Sequence, residues 1–349
     1  MSNDLSVLEL CAGGGGQALG LEAAGFTTAA AIEIDPTCRA TLSQNRPNWT
    51  VLGEDVNHMS GRPYRGVDLL AAGVPCPPFS IAGHQLGADD GRDLFPAALR
   101  LVAETRPRAV LLENVRGLAT DRFRSYRSSL LAELDRLGYQ SEWRVLNASD
   151  FGVPQLRPRF VLVALRKRYV RRWQWPQPVG KPPSVGKTLR DLMAARQWSG
   201  AHRWAARAAG IGPTIVGGST KHGGPDLGPT RARAEWRLMG VDGLGIADGP
   251  PDAETPAQFL PKLTVRMVAR IQGFPDTWSF AGRKTAAYRQ VGNAFPPPVA
   301  NAVGLALRQV LTGTAGRPSQ LRLFEPDARW SGEPATLLAS ARGVPREDR

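Results

Sequence analysis

Short apolar runs alternate with helical stretches along the first 165 residues of the chain. Each run is continuous, which is typical of strands that are buried on both faces of a mostly parallel sheet. The pattern therefore predicts an α/β fold built on a doubly wound, Rossmann-like sheet. The predicted strands are 6–10, 29–34, 50–52, 67–72, 108–112 and 160–165, of which 50–52 gives the weakest signal.

The pattern changes after residue 165. Glycine and proline are frequent as far as residue 261, and helical spacing occurs there only near 189–196 and 232–238, which indicates a smaller, loop-rich second domain. Helical spacing returns at 263–271 and 298–311, whereas the polar, aperiodic end of the chain is predicted to be mostly disordered. The predicted units are 1–165 together with 263–315, the second domain 166–262, and the tail 316–349.

Positive charge is concentrated in the second domain. The 349 residues have a net charge of +13, and 42% apolar with 21% charged residues exclude disordered, collagen and coiled-coil proteins. Between residues 166 and 237 there are 15 basic and 3 acidic residues, together with five tryptophans. A basic segment that carries aromatic residues is typical of nucleic-acid binding. The alternative is a solvated basic surface, or one that binds an acidic protein.

Cysteine and histidine spacing argues against metal and disulfide sites. The three cysteines form no CxxC pair, and the four histidines are scattered without ligand spacing. No apolar run approaches the roughly 18 to 20 residues that span a bilayer, and the polar start of the chain does not resemble a secretory signal. We therefore expect a protein of the reducing cytoplasm, with no membrane or metal partner.

A glycine run follows the first predicted strand. Gly13, Gly14 and Gly16 would leave backbone N–H groups open at a helix start, which suits a nucleotide-like ligand but also an ordinary tight turn. Glu33, near the end of the second strand, would accept hydrogen bonds from both hydroxyls of a ribose. Asp55, past the third strand, would accept one from an adenine amino group. Each carboxylate alone is typical of any surface, but together these residues predict an adenosine-containing cofactor.

Two segments past later strands carry reactive side chains. Cys76 lies among prolines in PCPPFS (75–80), and a thiolate is nucleophilic even at low ionisation; the alternative is a buried structural cysteine. Glu113 would face the same cleft as a general acid, because the carboxyl ends of parallel strands meet at one edge. Arg157 and Arg159 alternate in QLRPR (155–159) and would share one face, where two guanidiniums would hold a phosphate or a base carbonyl. Such a pair is otherwise a solvated surface.

Taken in order, these segments resemble the motifs of the bacterial DNA cytosine-5 methyltransferases. The likeness covers about residues 6–165 and 263–311, and the basic stretch between them falls where that family places its target-recognition domain. One such motif would be weak, but this many in order are highly specific. The matching segments are 8–16, the nucleophile loop 75–80, ENV at 113–115, QxRxR at 155–159, 263–266 with 272–275, and 290–294 with 296–298.

The resemblance implies S-adenosylmethionine as cofactor and double-stranded DNA as substrate. It implies a cytosine flipped out of the duplex, attack of Cys76 on C6, contact of Glu113 with N3, and methyl transfer to C5. Arg157 and Arg159 would hold the base O2 and a nearby phosphate, and Asn293 would connect the last motif to the cofactor. The implied cofactor-binding residues are Cys11, Gly13, Gly14, Gly16, Glu33, Ile34, Asp55, Val56, Pro75 and Asn293.

Candidate DNA contacts lie in one motif and in the basic insert. They are Gln155 of the QxRxR segment, and Lys221, His222, Arg231 and Arg233 on or beside a glycine-rich stretch of the insert. We expect a monomer that acts either alone or beside a restriction endonuclease for the same site. Two departures stand out. Pro77 replaces the usual glutamine of the nucleophile loop, and Cys11 replaces an aromatic residue, which should thin the packing against the cofactor.

Three other functions are compatible with part of the pattern. A tRNA cytosine methyltransferase shares much of the catalytic core, but the long basic insert favours duplex DNA. A non-catalytic DNA-binding relative would not need Cys76, Glu113 and both arginines. A nicotinamide dehydrogenase would explain the glycines and Glu33, but neither the cysteine loop nor the basic insert.

Overall fold

The structure is a computed structural model that describes residues 4–74, 93–217 and 225–313. Seven strands form one sheet in the order β3-β2-β1-β4-β5-β7-β6. The first five strands run parallel, and β7 is antiparallel to both β5 and β6, which confirms the mostly parallel α/β sheet. The strands are β1 Leu5–Leu10, β2 Phe26–Ile32, β3 Val51–Leu52, β4 Leu69–Gly73, β5 Ala109–Val115, β6 Tyr139–Asn147 and β7 Pro158–Arg166.

Ten α-helices lie in the described ranges. Several begin at a side chain that accepts hydrogen bonds from the first turn: Asp35 accepts from Thr37 N at 2.7 Å, and Ser184 accepts from Lys187 N at 3.1 Å. The helices are α1 Gly16–Ala23, α2 Pro36–Asn45, α3 Phe95–Thr105, α4 Arg124–Arg136, α5 Val185–Ala194, α6 Ala201–Arg207, α7 Thr230–Leu238, α8 Val265–Ile271, α9 Lys284–Asn293 and α10 Pro297–Thr312.

Each face of the sheet has its own core. Leu8 and Leu10 of β1 point to the face covered by α3 and α4, whereas Leu5 and Val7 point to the face covered by α1 and α10. Helices α1 and α10 approach so closely that no side chain fits at Gly20, where a Cβ would overlap the Pro297 carbonyl oxygen. This packing fixes the start of α1, and with it the glycine run, above the carboxyl edge of the sheet.

A third core joins α5 and α6 to α8 and α9. The tryptophans that suggested nucleic-acid binding belong to the cores: Trp198, Trp204 and Trp236 are buried here, and Trp175 is buried against the sheet. These four side chains are therefore not available to stack on nucleic-acid bases. The prediction of nucleic-acid binding was wrong in so far as it relied on these tryptophans. Burial removes the large apolar surface of each ring from water. Trp204 also donates from Nε1 to Gly240 O at 2.9 Å.

The packed units of the structure divide the chain at residues that differ from the predicted domain boundaries. Residues 166–175 pack on the sheet, through Tyr169, Val170 and Trp175, rather than with the second domain. Helices α8 and α9 pack with that second domain, and only α10 returns to the sheet. The predicted tail 316–349 lies outside the described residues. In the described ranges no helix has both the length and the apolarity to cross a bilayer.

Candidate active site

The glycine run turns tightly between β1 and α1. Gly15 has φ +87°, and a Cβ there would lie 2.6 Å from the Trp278 ring and 2.8 Å from Leu42, so only glycine fits. Trp278 also donates from Nε1 to Gly14 O at 3.0 Å. The turn is thus held in place by a residue that sequence reasoning missed, since nothing in the sequence links positions so far apart.

Glu33 comes directly after β2 and lies against the glycine run. Its Oε2 accepts from Gly13 N at 2.7 Å and its Oε1 from Asp35 N at 2.8 Å. Burial raises the pKa of Glu33, although these backbone donors work in the opposite direction. The next residue, Ile34, is 64% exposed, an unusual position for a large apolar side chain. A fixed carboxylate beside an open apolar surface suits a ribose joined to a flat base.

Cys11 lies in the middle of several carboxylates. Burial, together with the negative charges of Glu33, Glu9 and Asp55, raises the pKa of Cys11 to about 12. Asp55 is half-exposed, and its Oδ1 accepts from Asn57 N at 2.9 Å, while the neighbouring Val56 is buried. The structure therefore brings the predicted cofactor residues of the first three strands together at one edge.

Buried polar atoms without partners lie beneath this edge. Within the described residues, neither the amide of Gln17 nor the carboxyl of Glu9 has a hydrogen-bond partner, although both side chains are buried. A Cβ at Gly73 would lie 3.6 Å from Cys11 O, 3.7 Å from Gln17 Oε1 and 3.8 Å from Glu113 Oε2, so three oxygens line the space above this glycine. Such atoms cost free energy unless a polar ligand satisfies them. The site therefore fits the polar amino-acid end of S-adenosylmethionine.

Glu113 and Arg159 form a buried ion pair. Glu113 pairs in the sheet with Gly73 and Val161, and its Oε1 lies 2.9 Å from Arg159 Nε. Burial raises the pKa of Glu113, and the charges of Arg159 and Arg157 oppose that shift. The carboxyl group and the guanidinium lie at the carboxyl end of β5, next to the strand that leads into the cysteine segment.

Arg157 does not share the surroundings of Arg159. It is fully buried, and it donates to the carbonyl oxygens of Ile215 at 2.5 Å, Gly292 at 2.6 Å and Ala294 at 2.9 Å. A guanidinium enclosed by backbone oxygens has no path to a phosphate or a base in this conformation. The prediction that Arg157 contacts the substrate is therefore corrected: it joins the start of β7 to two later segments of the chain.

Gln155 is also buried and internally bonded. Its Oε1 accepts from Ile215 N at 2.8 Å, and its Nε2 donates to Gln272 Oε1 at 2.7 Å. Gln272 in turn donates to Val291 O at 2.8 Å. With both amide atoms occupied, Gln155 is not placed to contact DNA, and that prediction is corrected too. Gln155, Arg157 and Gln272 with their backbone partners are called the buried polar cluster below.

Asn293 lies where the segment before residue 218 meets the end of α9. A Cβ at Gly292 would overlap Gly217 Cα, and one at Gly217 would overlap the Asn293 side chain. The two backbones therefore touch directly. Asn293 itself is exposed, so the structure leaves its side chain accessible to a ligand.

The predicted DNA-contacting residues of the second domain are only partly described. Arg231 and Arg233 lie on α7; Arg231 is 93% exposed beside Glu235, while Arg233 pairs with Asp226 at 3.2 Å. Arg231 is therefore the freer of the two. The remaining predicted site residues, Pro75, Cys76, Lys221 and His222, lie outside the described residues.

Comparison with known proteins places the chain among DNA-modifying enzymes. The family model for C-5 cytosine-specific DNA methylase matches residues 5–217 and 231–309. The chain is 57% identical over 311 residues to the type II methyltransferase M.NaeI of Lentzea aerocolonigenes, covering 88% of this chain and 75% of the relative. It is 51% identical to M.NgoMIV of Neisseria gonorrhoeae, covering 87% and 96%. A Spodoptera frugiperda DNMT2 structure shares the fold, at 19% identity and TM-score 0.62, covering 87% of this chain and 99% of that one.

Proposed function

The chain belongs to the C-5 cytosine-specific DNA methylases, and from that premise we propose that it modifies one cytosine within a short, specific duplex sequence. It is a DNA (cytosine-5-)-methyltransferase that uses S-adenosylmethionine as methyl donor. The names of its relatives, type II methyltransferases, support a role in restriction-modification. We propose a monomeric cytoplasmic enzyme that acts beside a restriction endonuclease for the same site, or alone as an orphan enzyme.

The observation that carries the site assignment is the buried pair of Glu113 and Arg159. A carboxyl group whose pKa burial raises retains its proton at higher pH than an exposed one. Although Arg159 favours the ionised form, burial favours the neutral form, so Glu113 can take up a proton and donate it to N3 of a cytosine while the guanidinium donates to O2. Gly73, paired with Glu113, is three residues from Cys76 along the chain. This spacing supports Cys76 as the nucleophile of the same pocket.

The proposed reaction uses these groups in a fixed order. The Cys76 thiolate forms a bond to C6, and the π electrons of the C5–C6 bond move to C5 while Glu113 donates a proton to N3. The C5 electron pair would then bond to the methyl group, and the electron pair of the bond that breaks would stay with the donor sulfur. Loss of the C5 proton to water returns an electron pair that restores the C5–C6 double bond and expels the thiolate, and N3 returns its proton to Glu113. The thiolate and the Glu113 carboxyl are thereby regenerated.

The cofactor supplies an electrophilic methyl group when bound. We propose that the glycine run and Glu33 hold its ribose, that Ile34 covers one face of its adenine, and that Asp55 accepts from the adenine amino group. Gln17 and Glu9 would satisfy the polar amino-acid end. Cys11, Gly13, Gly14, Gly16, Val56, Pro75 and Asn293 complete the proposed set.

The second domain supplies the proposed contacts with DNA. Arg231 is exposed on α7, and Lys221 and His222 precede that helix in a glycine-rich stretch. We propose that these residues contact phosphates or base edges. The charge of Arg233 is proposed to attract the DNA to this surface. Gln155 and Arg157 are proposed as positioning residues that act through the buried polar cluster.

Methyl transfer from labelled S-adenosylmethionine to unmethylated duplex DNA, followed by bisulfite sequencing, tests the proposal. We expect protected cytosines in one short recurring context. Cys76→Ser should abolish transfer, whereas the matched control Cys38→Ser should keep it, because Cys38 lies on α2 beside Glu33 and is not the proposed nucleophile. Transfer to tRNA but not to DNA, or turnover by Cys76→Ser at the unmodified rate, would refute the assignment.

A further inference from the structure

A strongly basic pocket lies at the edge of the sheet opposite the candidate active site. Strand β5 begins at this edge and the antiparallel β7 ends there, with Ala109 paired to Leu165. The cavity has a volume of about 340 Å³, and five of its six lining residues are cations. It is called the rear pocket here, and its lining residues are Arg106, Pro107, Arg108, Arg166, Lys167 and Arg168.

Two arginines of the rear pocket are held in fixed positions. Arg108 donates from Nη1 to Asp68 Oδ1 at 2.8 Å and from Nε to the Tyr169 hydroxyl at 2.8 Å. Arg166 donates from Nη1 to Leu137 O at 3.0 Å. Since these guanidiniums are already ordered, a ligand that binds beside them does not bear the cost of ordering them.

The other three cations are exposed at the rim. Lys167 has Asp135 at 3.8 Å, but both side chains are about 70% exposed, and such a pair contributes little. Arg168 is exposed, and its Cζ lies over the Tyr169 ring at 4.8 Å from the ring centroid. In the described part of the chain, no carboxylate lies within ion-pair distance of Arg106 or Arg168. Within the described residues, two of the three rim cations therefore have no carboxylate partner.

The backbone at Arg106 adds an independent observation. Arg106 ends α3 with φ +51° and ψ +51°, a left-handed conformation in which glycine is preferred at this position. An arginine there costs free energy that glycine would not. The negative end of the helix dipole stabilises the positive charge of Arg106 at this position. The conformation directs the Arg106 side chain to the rim of the rear pocket.

We propose that the rear pocket binds the phosphate backbone of a second segment of duplex DNA. Guanidinium and ammonium groups pair well with phosphodiester oxygens, and DNA is the polyanion on which this family acts. Glu113 is four residues further along β5 than Ala109, about 13 Å at 3.3 Å per residue, and lies at the other edge of the sheet. The rear pocket and the catalytic groups thus lie at opposite edges of the sheet, and the proposal assigns the rear pocket a separate segment of duplex.

The rear pocket also explains part of the charge that the sequence assigned to target recognition. Residues 166–172 were counted with the basic second domain, but they pack on the sheet and line the opposite edge. They hold five of the 15 basic residues of that stretch. The proposal goes beyond the proposed function, because it does not depend on which cytosine is methylated.

The test measures binding of a second duplex to enzyme that is already occupied. Enzyme is saturated with a short unlabelled duplex that carries the methylated site, in the presence of S-adenosylhomocysteine. Fluorescence anisotropy then follows a labelled duplex without the site as NaCl is raised. The variant Lys167→Gln/Arg168→Gln removes two rim charges. The matched control Arg122→Gln/Arg124→Gln removes two exposed arginines just before and at the start of α4, away from the pocket.

We expect the second duplex to bind the unmodified enzyme and the control. The rim variant should bind it at least ten-fold more weakly, with the slope of log K against log salt reduced by about two. Methyl transfer to the short duplex should stay within two-fold in all three proteins. No binding of a second duplex, an equal loss in both variants, or binding of tripolyphosphate without any second duplex would overturn the proposal.

Arg106→Gly provides a second variant that keeps the fold. Glycine relieves the left-handed backbone, so this variant should melt at a higher temperature than the unmodified enzyme. It should nevertheless bind the second duplex several-fold more weakly, because one rim charge is lost. A higher melting temperature with unchanged binding of the second duplex would show that Arg106 serves only the end of α3, against the proposal.

Discussion

Replacing Arg157 by methionine tests whether this residue holds the protein together or contacts the substrate. The change keeps the length of the side chain but removes the donors to Ile215 O, Gly292 O and Ala294 O. Each buried acceptor left without a donor costs about 1 to 3 kcal/mol. Removing a buried charge recovers part of that cost, so we expect a net loss of about 3 to 5 kcal/mol in the free energy of unfolding.

Urea unfolding followed by tryptophan fluorescence measures this loss, and methyl transfer at saturating DNA measures the substrate role. At a temperature where Arg157→Met is still folded, we expect its Kd for duplex DNA to stay within a few-fold of the unmodified value. Arg157→Lys is the matched control, since it keeps the charge but supplies fewer donors, and it should fall between the two in stability. Unchanged stability with a large loss of DNA affinity would refute the reasoning and restore the substrate contact.

Three further changes have expected outcomes that follow from buried groups. Gln17→Leu should raise the melting temperature of the unliganded protein by removing an unpartnered amide. In calorimetry it should weaken the binding of S-adenosylhomocysteine about ten-fold but leave unchanged the binding of 5′-methylthioadenosine, which lacks the amino-acid end. Equal weakening of both ligands would contradict this, and Gln140→Leu, at an exposed position, is the control. Burial raises the pKa of Glu9 to about 8, so the folded state holds a proton that the unfolded state has lost. Stability should therefore fall by about 3 to 5 kcal/mol as the pH rises from about 4.5 to 8, and Glu9→Gln should flatten that curve in urea unfolding at several pH values. Gly20→Ala should cost about 3 kcal/mol or more, because its Cβ would overlap Pro297 O between two packed helices; a melting temperature within 2 °C of the original would disprove the close approach.

The parallel strands could be predicted because burial on both faces makes them continuous apolar runs. Strand β6, Tyr139–Asn147, could not, since it forms the edge of the sheet and mixes exposed polar with half-buried residues. Helix α6 was missed for a related reason: only two of its seven residues are buried, Ala201 and Trp204, so its apolar period is too short to recognise. Edge elements are defined by their neighbours, which the sequence of the element itself does not contain.

The candidate site shows the same division between local and distant information. Glu33 and Glu113 could be placed because each directly follows or ends a buried strand. The different surroundings of Arg157 and Arg159 could not be predicted, because alternation in an extended segment says only that they share a face. What separates them is the carbonyl oxygens of residues 215, 292 and 294, which come from segments more than 50 residues away.

The direct contact of Gly217 with Gly292 limits how this protein can exchange parts with its relatives. Gly217 lies within the predicted target-recognition domain, 166–262, which is expected to differ between enzymes with different target sequences, and there two backbones touch without side chains between them. A transplanted region would need a glycine at its junction, and a partner for Gln155 at the position of Ile215. The backbone contact therefore limits the positions at which segments can be exchanged between relatives. A chimaera spliced at residue 218 should fold, whereas one spliced at residue 210 should not.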